Sequence, residues 1–290
     1  MTGMRSRFVD AAVGLLETDP RVAVVLADIG ADRFGAAAAA FPGRVVNVGI
    51  REQLMIGVAA GMALEGLRPI AHSYAPFLVD RAFEQIKLDL VHQGAGGAVL
   101  VSIGASYDAA EEGRTHQSPG DVALLATLAA VDIYVPGHPD EVEGMLREAV
   151  AGDGTAYVRL SEEVNNAAHP PFAVVRPVRP GGTLVVAVGP ALQPVLDATA
   201  DTDLGVVYVA RVRPFPTLEI AALAAGDIVL VEPYTAGTSA GEMPFERPRR
   251  LHCLGVRDPE LRRYGTGADH RRAHGLDAGG IARSLVAVTS

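Results

Sequence analysis

An apolar run over residues 45–48 meets Gly49 and passes at once into a nearly uncharged helical segment that stops at Gly66. The run has the composition of a buried strand, and Gly66 suits the position just past a helix C-terminus. Glu52 therefore falls in the first turn of a helix that begins at a strand end. In open α/β sheets, ligands bind at such places. Beyond Gln53 the segment carries no charge until Glu65, so it is expected to be buried on several sides. Gly57 and Gly61 lie four apart on one face and each costs about 1 kcal/mol of helix propensity, which predicts close packing there. A first-turn glutamate is also favoured by the helix dipole alone, so Glu52 by itself does not establish a site.

The rest of the chain is read around this unit. The 290 residues are enough for two ordinary domains. With 34 acidic against 25 basic residues, the net charge of −9 argues against nucleic acid as a partner. A single cysteine, Cys253, leaves no internal disulfide and no cysteine-cluster metal site. No apolar run reaches the ~18 residues of a membrane span, and no signal peptide is apparent, so a cytoplasmic protein without membrane contact is expected.

Strand-like runs over residues 22–27, 45–48, 69–73, 98–103, 132–135 and 157–160 alternate with helical segments. This spacing predicts a doubly wound parallel sheet over residues 1–165. Four prolines between 165 and 180 suggest a linker over 166–180. A second alternating set over 181–290 predicts another α/β domain. The fold class expected is thus two consecutive doubly wound, mostly parallel sheets. Gly152-Asp153-Gly154 followed by Asn165-Asn166 mimics a diphosphate–Mg²⁺ motif, but the gap is too short and the glycines suit a turn. No metal ligand is assigned.

The run Gly49-Ile50-Arg51-Glu52-Gln53, its small-residue helix and Gly66-Leu67-Arg68-Pro69 resemble the pyrimidine-binding domain of transketolases and 1-deoxyxylulose-5-phosphate synthases. Arg81-Ala82-Phe83-Glu84-Gln85-Ile86 is similar to the family's Arg-Ala-aromatic-Asp-Gln run. Glu111-Glu112-Gly113-Arg114-Thr115-His116-Gln117 resembles its Glu-Asp-Gly-Pro-Thr-His-Gln loop. The resemblance is strong over residues 45–140 and looser after 170, where Tyr264-Gly265-Thr266-Gly267 matches the family's closing segment.

The resemblance implies thiamin diphosphate as cofactor, with Glu52 hydrogen-bonded to N1′ of its aminopyrimidine. It implies aromatic contact to that ring from Tyr74 and Phe77, although one extra residue before Arg81 leaves open which of the two stacks. A hydrophobic staple for the following helix would also explain these aromatics. Ile50 and Asp28 are carried over to the cofactor pocket. His116, Glu112, Gln117 and Arg5 are carried over to substrate, with His116 also a candidate for proton transfer. The diphosphate and its Mg²⁺ would be held by an N-terminal transketolase-like subunit, in a complex of two copies of each chain (α2β2).

The departures are informative. Among the family's phosphate ligands, Arg5 and His116 are kept, an expected His is Gly104, an expected Arg is Glu162 and an expected Ser is Asp32. Added carboxylates repel a phosphate dianion, so the acceptor expected is not an ordinary sugar phosphate. The leading expectation is the C-terminal subunit of a split transketolase-like transferase that moves a two-carbon ketol or acyl unit. A 2-oxo acid dehydrogenase β-type subunit, a 1-deoxyxylulose-5-phosphate synthase-like enzyme and a non-catalytic scaffold are the alternatives.

Overall fold

A computed structural model describes residues 3–94, 96–223, 225–243, 249–261 and 264–289. Twelve strands are found among them: β1 Val22–Leu26, β2 Val45–Asn47, β3 Arg68–Tyr74, β4 Val99–Ile103, β5 Val131–Tyr134, β6 Thr155–Arg159, β7 Phe172–Arg176, β8 Leu184–Val188, β9 Gly205–Val209, β10 Arg211–Arg213, β11 Ile228–Thr235 and β12 Leu251–Val256. They form two sheets, of order β10-β5-β6-β4-β3-β1-β2 and β12-β11-β8-β9-β7. Within each sheet the pairing is parallel except at one edge, where β10 and β7 run antiparallel to β5 and β9. The fold class is α/β with two mostly parallel sheets.

The physical basis is plain in the central strands. β1, β8 and β9 are buried at every position, as expected of strands covered by helices on both faces. Each valine so buried stabilises the fold by roughly 1.5–3 kcal/mol.

Four elements escaped the sequence reading, one of them the edge strand β12. The proline-rich stretch expected to be a linker contains β7, an edge strand that begins just after Pro170 and Pro171, where a missing N–H does least harm. β10 comes from the second half of the chain but completes the first sheet, with Arg211 opposite Tyr134. Helix Gly267–His274 is capped by Thr266, whose hydroxyl accepts from the Asp269 N–H while the Asp269 carboxylate accepts from the Thr266 N–H. Ala224, at the end of a helix expected over 218–224, lies outside the described residues.

The chain runs from β1 out to β2 and then back past β1 to β3. The direction of winding therefore changes between β1 and β3, and the carboxyl ends of these strands border the crevice where open α/β sheets bind ligands. Asp28 follows β1, Glu52 follows β2, Tyr74 ends β3 and Gly104 follows β4.

Candidate active site

Helix Glu52–Leu64 starts on Glu52. The Glu52 side chain is 2 % exposed, and its Oε1 accepts a hydrogen bond from Arg81 Nη1 at 2.8 Å. Among the described residues Oε2 has no partner. Gln53 Nε2 donates to the Arg81 carbonyl at 3.1 Å, so two successive residues hold Arg81 in place.

The stretch before Arg81 is wound more widely than an α-helix. Residues Pro76–Asp80 form a π-helical turn, closed by the Arg81 N–H donating to the Pro76 carbonyl at 3.0 Å. Such wide turns take up one additional residue and recur at functional sites. Tyr74, Phe77 and Arg81 converge as a result. The Tyr74 and Phe77 rings are 5.9 Å apart and edge to face, and the Arg81 guanidinium lies 4.3 Å from the Phe77 centroid. A cation over an aromatic face in this way is attracted by the ring quadrupole.

The long loop over 104–118 brings His116 to the same place. Its ring centroid is 5.0 Å from that of Phe77 and 5.7 Å from that of Tyr74. Thr115 Oγ1 is 3.1 Å from His116 Nδ1. The loop is fastened at several points. Asp80 Oδ2 accepts from Ser118 Oγ at 3.1 Å, and Arg114 Nη1 donates to the Gln117 carbonyl at 2.7 Å. Arg114 also pairs with Glu260 at 2.6 Å, from the second half of the chain. At the base of the loop a fully buried ion pair joins Arg159 to Asp121 at 2.7 Å, and Arg159 Nη2 donates to Ser106 Oγ at 2.6 Å.

The remaining candidates fall in different surroundings. Asp28 is exposed at the end of β1, in a left-handed conformation with φ 71°, and its N–H is bound by Asn47 Oδ1 at 2.9 Å. Ile50 is 71 % exposed. Glu112 is exposed on a short 3₁₀ turn. Gln117 is turned inward, with Nε2 donating to the Ala110 carbonyl at 3.3 Å. The expectation for the Glu52 helix is corrected in one respect. Leu54 and Leu64 are exposed, nothing lies within 4 Å of a Cβ built at Gly61, and Gly57 meets only the Asp89 carboxylate at 3.9 Å. One face of that helix is therefore open in the single chain.

A cleft of about 360 Å³ adjoins the aromatic cluster, with Tyr74 common to both. Arg5, Arg33, Asp108 and Glu162 are among its lining residues. Asp108 was not singled out from sequence. Its carboxylate accepts from the Ala105 N–H and the Glu162 N–H, each at 3.0 Å, and from Ser161 Oγ at 3.3 Å. Burial pushes its carboxyl up to about 7, against the lowering effect of these bonds and of Arg159. Gly104 sits on the floor with φ 69°, and a side chain there would collide with the Tyr74 ring. The expected histidine is thus absent for a steric reason as well. His72, on β3, is fully buried. Its Nδ1 donates to the Val101 carbonyl at 2.9 Å, and desolvation holds the ring down to about 4, hence neutral.

The Gly152-Asp153-Gly154 segment is a bend, and the Asn165 amide is engaged with the Gly189 carbonyl and the Gln193 N–H. Among the described residues no group of three His, Cys, Asp or Glu side chains could hold a metal ion. No described helix is long and apolar enough to cross a membrane.

With this geometry in view, comparison with known proteins gives a consistent result. The pyrimidine-binding domain of transketolase matches residues 2–166. An uncharacterized 33.6 kDa protein in the fasciation locus of Rhodococcoides fascians is 47 % identical, over 98 % of this chain and 94 % of its own length. One of the subunits of an apulose-4-phosphate transketolase from Actinobacillus succinogenes is 30 % identical, over 83 % of each chain. Among solved structures, a split-gene transketolase described as an inactive β4 tetramer superimposes with a TM-score of 0.80 at 24 % identity, over 98 % of this chain and 97 % of that one. The chain belongs to the transketolase family, and it lines up with members in which the pyrimidine-binding part is a separate subunit.

Proposed function

We infer that the chain is the pyrimidine-binding subunit of a thiamin diphosphate-dependent, two-component transketolase-like transferase. It moves a two-carbon ketol or acyl unit between carbonyl compounds. The observation that carries this reading is the buried Glu52 carboxylate at a helix N-terminus, with one oxygen unpartnered, beside the Phe77 and His116 rings. That set fits an aminopyrimidine: a carboxyl group that can share a proton with a ring nitrogen, and aromatic faces for the ring. When bound, the cofactor supplies the nucleophilic carbon that carries the transferred unit.

In this reading the Glu52 carboxyl group hydrogen-bonds N1′ and exchanges a proton there, while Phe77 and Tyr74 wall the ring. Ile50 and Asp28 border the cofactor from the neighbouring strand ends. His116 faces the substrate and holds or moves its proton. Arg5 and Glu112 contact the substrate, and Gln117 serves through the loop that it pins. The first unit, residues 1–165, carries the site, and residues 181–290 form the second, joined by the stretch 166–180, whose strand β7 edges the second sheet. Mg²⁺ and the diphosphate belong to an N-terminal partner subunit, in an α2β2 assembly in the cytoplasm. Likeness over most of the chain to a protein named as one subunit of a transketolase supports a partner chain. The open face of the Glu52 helix, with Gly57 and Gly61, supports close approach by another polypeptide.

The test is purification of the tagged chain from its native cell, with mass spectrometry of what accompanies it. A partner of about 250–300 residues, the size of one or two domains, together with thiamin diphosphate is expected. Recovery of the chain with neither contradicts the reading.

A further inference from the structure

The cleft beside Tyr74 holds charges that suit one kind of substrate end. Arg5 lines it with a buried Nε that has no hydrogen-bond partner. Among the described residues neither Arg5 nor Arg33 belongs to an ion pair, and the hydrogen bond of Arg33 is a long one of 3.5 Å to Ser6 Oγ. Two guanidinium groups without carboxylates at a cleft are arranged to receive an anion, and the fork of an arginine matches the two oxygens of a carboxylate.

The acidic groups lining the same cleft limit how much negative charge can enter. Glu162 brings one carboxylate, and Asp108, fixed by three hydrogen bonds, brings a second that is part-protonated near neutrality. The floor offers no cation, because the Tyr74 ring fills the space above Gly104. Among the described lining residues two positive charges thus meet between one and two negative ones. A single added negative charge is close to balance. A phosphate monoester, with a charge of about −1.5 to −2 at neutral pH, leaves an excess that Glu162 and Asp108 repel. The volume of about 360 Å³ suits a molecule of a few carbon atoms.

We propose that this cleft seats the charged end of the substrate and selects a small carbonyl or hydroxy compound ending in a single carboxylate over its phosphate-ester analogue. The inference rests on the transferase reading for its meaning in catalysis. The preference itself belongs to residues of this chain and is measurable by binding alone.

The matched probes are glycerate and glycerol 3-phosphate, titrated calorimetrically into the full-length chain. Glycerate is expected to bind at least tenfold tighter. R5M and R33M should each weaken glycerate severalfold. E162R, at an exposed position where folding is not at risk, should reverse the order in favour of glycerol 3-phosphate. Equal or tighter binding of glycerol 3-phosphate by the native chain overturns the proposal. So does an order that E162R leaves unchanged, or binding of both probes weaker than about 10 mM, a free energy of under 3 kcal/mol. Thiamin diphosphate binding to the assembled complex is measured separately. Cofactor binding without the anion preference sinks this inference alone, and the preference without cofactor binding sinks the functional reading alone.

Discussion

The Glu52 cluster and the Arg5–Glu162 cleft share the Tyr74 ring, yet they relate to the transketolase pattern in opposite ways. In the cluster, a π-helical turn over Pro76–Asp80 brings Phe77 and Arg81 to Glu52 and His116, where the sequence motif matches with a shifted spacing. In the cleft the side chains themselves differ from the family pattern, with Gly104 under Tyr74 and Glu162 lining the same cleft as Arg5. The difference teaches where each region is constrained. A ring-binding site depends on the relative placement of a few groups, so geometry is preserved when the sequence shifts. A charge-selecting site depends on the sum of charges, which single substitutions reset.

Both regions rest on the loop over 104–118, and the largest expected effect removes that support from both at once. Asp121→Ala leaves the Arg159 guanidinium, 1 % exposed, without its carboxylate. Breaking one partner of a buried pair costs about 3–5 kcal/mol, to be read from urea unfolding. If stability is unchanged, the pair does not support the loop.

A smaller effect tests whether the two regions are coupled through Tyr74. Gly104→Ala strains a left-handed backbone and pushes on the ring, at about 1–2 kcal/mol. In a Tyr74→Ala background the part due to the ring should vanish, leaving the backbone part. A double-mutant cycle by thermal unfolding measures the coupling. Strict additivity would separate the regions.

The smallest effect is on pH dependence. Asp108 has a carboxyl raised to about 7, so it is largely neutral below that pH and charged above it. A carboxylate ligand binds best while Asp108 is neutral, so glycerate affinity should fall as pH rises through 7. The groups that set its titration are Glu162, which raises it, and Arg159, which lowers it, with Arg271 also near. A fall of roughly three- to tenfold between pH 6 and 8 is expected, and Asp108→Asn should flatten it. A fall of the same size in the variant would assign the titration elsewhere.

The sequence disclosed the central sheets because strands buried on both faces are unbroken apolar runs. It hid the edges. Arg211–Arg213 is too short and charged to announce a strand, and Leu251–Val256 is interrupted by His252 and Cys253. Helix Gly267–His274 is polar, and its one signal was the Thr266–Asp269 spacing. Within the site, the motifs carried Glu52, Tyr74, Phe77 and His116. They could not carry the pairing of Arg81 with Glu52, since that depends on the π-helical turn before Arg81. Nor could they carry Asp108, whose partners Ser161 and Glu162 lie more than fifty residues away. The openness of the Glu52 helix was likewise invisible, because burial against another chain and burial within one chain produce the same apolar composition.

The central claim is that the Glu52 carboxylate meets the aminopyrimidine of thiamin diphosphate at the face completed by a partner subunit. It is tested most directly by exchange of the cofactor's C2 proton for deuterium in the assembled complex, followed by NMR after acid quench. With native Glu52 the exchange should be accelerated over the free cofactor, and Glu52→Gln should slow it about 10²-fold or more, the lower range of a general acid–base contribution, with folding unchanged by circular dichroism. Equal exchange rates in the native and Glu52→Gln complexes, with cofactor bound in both, would contradict the claim.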